Sequence, residues 1–86
     1  YSLGNRKMLN EILPVYNSQQ TGVVVVDIIV DKRGKVVKAT AGAKGTTTTS
    51  SELLKAAREA AYKANFDPNP RVPEQRGTIT YRFELN

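Results

Sequence analysis

The run Gly22-Val-Val-Val-Val-Asp-Ile-Ile-Val-Asp31 decides how this chain folds. Successive side chains of a strand point to opposite faces, so Val24, Val26, Ile28 and Val30 share one side, while Val23, Val25 and Ile29, interrupted by Asp27, share the other. A strand in a small antiparallel sheet usually shows one apolar face and one wet one. This strand is apolar on nearly two, which is the pattern of a central strand whose second face also needs a cover.

Downstream, Asp31-Lys-Arg-Gly34 reads as a turn with Gly34 in a left-handed position, and a second strand runs from Lys35 to about Ala41 to complete a hairpin. A bulge at Gly34 would change which of Val36, Val37 and Lys38 faces the core. Gly42 to Ser51, GAKGTTTTSS, reads as a loop feeding a helix, and Thr49 with Glu52 fits a capping box. The helix is expected to run to about Asn65, with Leu53, Leu54, Ala57, Ala60, Ala61 and Ala64 as its packing stripe against Glu52, Lys55, Arg58 and Lys63. Phe66 is a core anchor past its end, and Asp67-Pro-Asn-Pro70 through Pro73 is a stiff loop. From Gly77 to Asn86 the chain alternates, Ile79, Tyr81, Phe83 and Leu85 against Thr78, Thr80, Arg82 and Glu84, as a last strand.

The order β, β, α, β predicts an α+β domain: a small three-stranded antiparallel sheet with the first strand central and one helix on a face. Residues 22–86 form this unit, and 1–21 form an N-terminal segment that packs on it. There Met8, Leu9, Ile12 and Leu13 suit either a short helical turn ended by Pro14 or an extended stretch. One helix covers one face, so Val23, Val25 and Ile29 call for a second cover. Two candidates are the N-terminal segment, through Leu9, Ile12, Leu13 and Tyr16, and a second copy of the chain, a homodimer.

Composition narrows the function. The 86 residues contain neither Cys nor His, so the commonest acid/base group, thiolate chemistry and the commonest metal ligands are missing. The carboxylates Glu11, Asp27, Asp31, Glu52, Glu59, Asp67, Glu74 and Glu84 form no recognisable pair with a nucleophile or base. The expectation is therefore no enzyme, no cofactor and no metal site. Asp27, inside an apolar strand face, is read as a point of solvation at the strand edge. The net charge of +5 is spread along the chain, Arg6 and Lys7 included, and reads as a soluble face. Arg76-Gly77 with Tyr81 and Phe83 faintly matches an RNA-recognition strand, but Thr78, Ile79 and Thr80 stand where stacking aromatics are needed. No nucleic-acid partner is expected. No run reaches the ~20 apolar residues of a membrane span. Thr46 to Thr49 reads as a polar loop, and Tyr16, after Pro14, either packs on the sheet or is an exposed contact.

Taken in order, Pro14-Val-Tyr16, Gly22-Val-Val-Val-Val, Val30-Asp-Lys-Arg-Gly34-Lys-Val36, Leu54 with Ala56-Ala57 and Ala60-Ala61, Phe66-Asp-Pro68 and the strand from Ile79 resemble the C-terminal domain of the TonB energy transducers. Ser2-Leu3-Gly4 and the Gly45-Thr46-Thr47-Thr48-Thr49 loop are most similar to TonB proteins of the Bacteroidetes branch. The chain departs from the pattern where Leu13 and Asn17 flank Pro14 and Tyr16 in place of Gln-Pro-x-Tyr-Pro, and where Ala64 stands at a position often held by Trp.

The resemblance implies a periplasmic domain, anchored in the inner membrane by an upstream helix and Pro-rich linker, that is driven by an ExbB and ExbD motor. Its partner would be an outer-membrane receptor whose TonB box adds a strand beside the last β-strand, at Gly77, Thr78, Ile79, Thr80, Tyr81, Arg82, Phe83 and Glu84. Pro14 and Tyr16 would be further receptor contacts. The other reading is a periplasmic protein-binding or structural module of the same ββαβ shape with no energy-transducing role.

Overall fold

A computed structural model describes every residue except Asn5, Glu11, Asn17, Ser18, Leu85 and Asn86. The elements are β1 (Met8–Asn10), β2 (Gly22–Asp31), β3 (Val36–Ala41), α1 (Ser51–Lys63), β4 (Asn65–Phe66) and β5 (Glu74–Phe83). The architecture is α+β: an antiparallel sheet of order β3-β2-β5 with α1 packed on it, and a two-stranded sheet of β1 and β4 beside it. The apolar run is the central strand, as its composition requires.

Val24, Val26, Ile28 and Val30 are buried with Val36 and Ala39 of β3, Ile79, Tyr81 and Phe83 of β5, and Leu53, Ala56, Ala57, Ala60 and Ala61 of α1. Alanines on the helix stripe let it lie close to the sheet. Ala60→Leu or Ala61→Leu is expected to overpack this contact and cost about 1–3 kcal/mol, while Lys55→Leu on the exposed face stays near neutral. Equal shifts of the urea midpoint at all three sites would mean that the helix faces are wrong.

Several boundaries move. The cap of α1 is Ser50, one residue after the expected Thr49, with its hydroxyl accepting from the Leu53 N–H at 3.3 Å. The helix stops at Lys63 because Asn65 and Phe66 turn away to pair with β1. The last strand starts at Glu74, extending the ladder with β2 to Asp31. Expected positions Leu85 and Asn86 lie outside the described residues. The register shift in the hairpin falls at Ile29/Val30, across from the strand's start after Gly34. Asp31 Oδ1 accepts from the N–H groups of Lys35 and Arg33, both at 2.9 Å, and the Lys35 bond chiefly holds this carboxyl below the usual carboxylate range.

In the N-terminal segment Gly4 lies in a turn and Met8–Asn10 is extended, and the described residues do not cover the second face. Met8, Ile12 and Tyr16 pack against the helix-side core, Leu3 is fully inside it, and Leu9 and Leu13 are exposed. Its main-chain ties are to β4 and to the far edge of β5, which keeps it on the helix side. The threonine loop meets β2 instead. Val25 O accepts from the N–H groups of Gly42 and Ala43, Val23 O from that of Thr47, and the hydroxyls of Thr46 and Thr47 accept from the N–H groups of Val25 and Val23. The loop thus continues the β3 side of the ladder past Ala41, and Val23, Val25 and Ile29 are left half-buried.

Arg6, read from sequence as one more surface cation, is 4% exposed. Its Nε donates to Asp67 O at 2.8 Å and one Nη to Asp31 O at 2.9 Å, joining the hairpin turn to the loop after β4.

Candidate partner-binding edge

β5 pairs with β2 on one side only, so its other side is a sheet edge carrying main-chain donors and acceptors. The Thr78 N–H donates to Ser2 O at 2.7 Å, and the Ser2 N–H donates to Thr78 O at 2.8 Å. Since strand amides alternate in direction, Thr80 and Arg82 present their N–H and C=O groups to this same edge. Among the described residues no strand pairs with them there.

The expected site residues therefore divide. Thr80, Arg82 and Glu84 are exposed. Ile79, Tyr81 and Phe83 point into the core and can contribute main chain only. Gly77 and Thr78, expected to be open, are already occupied: Ser2 bridges to Thr78, and a Cβ on Gly77 would overlap Ser2 O and stand 2.7 Å from Leu3 Cδ1. The chain's own amino-terminal residues use that part of the edge. Pro14 and Tyr16 are half-buried, and the Tyr16 ring meets Phe83 edge-on at 4.7 Å while its hydroxyl donates to Glu84 O at 3.3 Å. Tyr16 thus packs at the end of the edge.

Beside the open part of the edge lies a 340 Å³ groove whose walls include Tyr1, Met8, Leu9 and Ile12 from the N-terminal segment and Ile79 and Tyr81 from β5. The sequence pattern of Met8, Leu9 and Ile12 marked an apolar segment but not its position, because nothing local says that Ser2 reaches β5. A second groove of 330 Å³ on the other sheet face is lined by Asp27, Ile29, Lys38, Thr40 and Arg76. Asp27 is exposed there beside Thr40 and Thr78, but it sits in the middle of the central strand rather than at a strand edge, and water reaches it from the open face of the sheet.

Among the described residues no group of three or more Asp or Glu side chains is placed to hold a metal ion, and no helix is long and apolar enough to cross a membrane. What the arrangement offers chemically is main-chain pairing along an edge with an apolar groove next to it. Comparison with protein-family models, with curated proteins and with solved structures finds no match for this chain.

Proposed function

We propose that this domain binds an extended segment of a partner protein by adding it as a strand to β5, and that it serves as the receptor-binding end of a TonB-like energy transducer. The segment is then the TonB box of an outer-membrane receptor. One observation carries the binding mode: the edge already accepts a strand-like partner, because Ser2 exchanges both main-chain hydrogen bonds with Thr78. The sequence resemblance supports the partner's identity, the periplasmic location and the upstream ExbB and ExbD motor. Backbone pairing suits such a task, since several main-chain hydrogen bonds give affinity without demanding one sequence, and one transducer can serve several receptors.

The sheet has a second edge at β3, but β3 has six residues against ten in β5, and the register shift beside it disturbs the ladder. Bulges and short length are the usual means of discouraging an edge from pairing.

N-methylating the amides of a receptor TonB-box peptide one at a time is expected to weaken binding with a period of two, by about 0.5–1.5 kcal/mol for each lost hydrogen bond plus any steric cost. Titration calorimetry reads the pattern, and amide exchange in the domain reads the edge. Loss of affinity without alternation, or protection confined to β3, would sink strand addition at β5.

A further inference from the structure

We infer that the N-terminal segment confines an added strand to Thr80 and Arg82 of β5 and supplies the groove that receives the strand's one inward side chain, an apolar one. This rests on strand addition at β5 and specifies the partner: an extended peptide segment that places a single large aliphatic side chain between its two paired residues.

The window is closed at both ends. At one end Ser2 holds Thr78 by two main-chain bonds, and the next residue, Leu3, is 1% exposed in the core. A strand reaching Thr78 has to break both bonds and withdraw Leu3. The seat for Ser2 exists because Gly77 has no side chain, since a Cβ would overlap the Ser2 carbonyl oxygen. At the other end the Tyr16 hydroxyl holds Glu84 O, with the ring fixed against Phe83. Thr80 and Arg82 lie between these two clamps.

Strand geometry then sets side-chain directions. Residues added opposite Thr80 and Arg82 point to the same face as those side chains, away from α1, and the residue between them, opposite Tyr81, points to the helix side. That is the side on which Tyr1, Met8, Leu9 and Ile12 wall the groove with Ile79 and Tyr81. Leu9 is 61% exposed and Tyr1 59%, so apolar surface lies open next to the inward position and is covered when an aliphatic side chain arrives.

The test uses acetyl-Ser-Gln-Thr-Leu-Thr-Gln-Ser-amide, whose residue order is the same in either strand direction, and a twin with Ala in place of Leu, by NMR titration and amide exchange on the 86-residue chain. Saturation with the Leu probe is expected to slow exchange at Thr80 and Arg82 by about tenfold or more and to leave Thr78 unchanged. The Leu probe should bind about tenfold more tightly than its twin, and Leu9→Glu should abolish that preference. Gly77→Ala, which expels Ser2, should speed exchange at Thr78 in the free protein and let the probe slow it. Ser2→Pro, which deletes the N–H that Thr78 O accepts, gives a second route to the same result if Gly77→Ala does not fold. Slowing of Thr78 exchange by the probe in the unaltered chain overturns the confinement, and equal affinity of the two probes overturns the groove. A probe that binds without protecting Thr80 or Arg82, or does not bind, overturns strand addition itself.

Discussion

Gly34→Ala is expected to remove a large share of the domain's stability, and Gly34→Asn to do no better. Gly34 has φ of 91°, where an L side chain pays about 1–2 kcal/mol. Asparagine normally softens that cost by tolerating the left-handed region. Here conformation is the smaller part. A Cβ would overlap Phe66 O and stand 2.8 Å from the Phe66 carbonyl carbon, and both are backbone atoms that cannot swing aside. Relief requires parting the hairpin turn from β4, which breaks the Phe66 N–H bond to Gly34 O at 2.8 Å and disturbs Phe66, 1% exposed. Strain, a lost hydrogen bond and a loosened aromatic anchor together reach about 3–5 kcal/mol, against a total of about 4–13 kcal/mol for a domain of this length. Gly42→Ala is the control, because Gly42 has nearly the same φ, 93°, yet a Cβ there would meet only Leu54 Cδ2 at 3.9 Å. Thermal unfolding should separate the two by more than 2 kcal/mol on these figures. Equal losses would mean that left-handed strain alone fixes the glycine.

That contrast shows what sequence can and cannot carry. The turn at Gly34, the central strand, the helix stripe and the alternating last strand are all written in local periodicity, since each pattern is set by residues within a few positions of one another. The reason Gly34 tolerates nothing larger lies at Phe66 of β4, which is packed against the turn from far along the chain, and no spacing rule reaches it. The same limit hid β4, whose two residues form a strand only because β1 lies beside them. It also hid the occupied part of the candidate edge. Alternation correctly placed Thr80 and Arg82 on the exposed side of β5, but Gly77 and Thr78 read as equally open until Ser2, more than 70 residues away in sequence, was seen to pair there. The apolar second face of β2 was legible as a surface needing cover. The Thr46–Thr47 loop that lies along it was not, because it is held by main-chain N–H groups of β2 donating to threonine hydroxyls rather than by an apolar pattern.

Arg6 is the sharpest case of a residue whose sequence reading and structural place diverge, and replacing it with methionine is expected to cost about 2–4 kcal/mol. Methionine keeps most of the buried stem, so the loss reports the guanidinium. Asp67 O after β4 loses its charge-assisted donor, and Asp31 O on the hairpin keeps only the neutral Gly34 N–H at 3.0 Å. Arg6→Lys should not rescue. A guanidinium spans two acceptors with a rigid fork, whereas an ammonium is a single point on a flexible stem, and keeping it charged in a site 4% exposed adds a desolvation cost. Methionine and lysine variants are thus expected to fall together, with lysine the lower, in urea unfolding at unchanged m-value. The local signature is the Asp67 N–H, bonded to Lys7 O at 2.8 Å, which should lose exchange protection before the β2–β5 ladder does, because Arg6 ties the N-terminal segment to the body of the domain at that point. If the lysine variant instead keeps the stability of the unaltered chain, one cation in the right place is enough, and the two-carbonyl bridge is not what holds the N-terminal segment down.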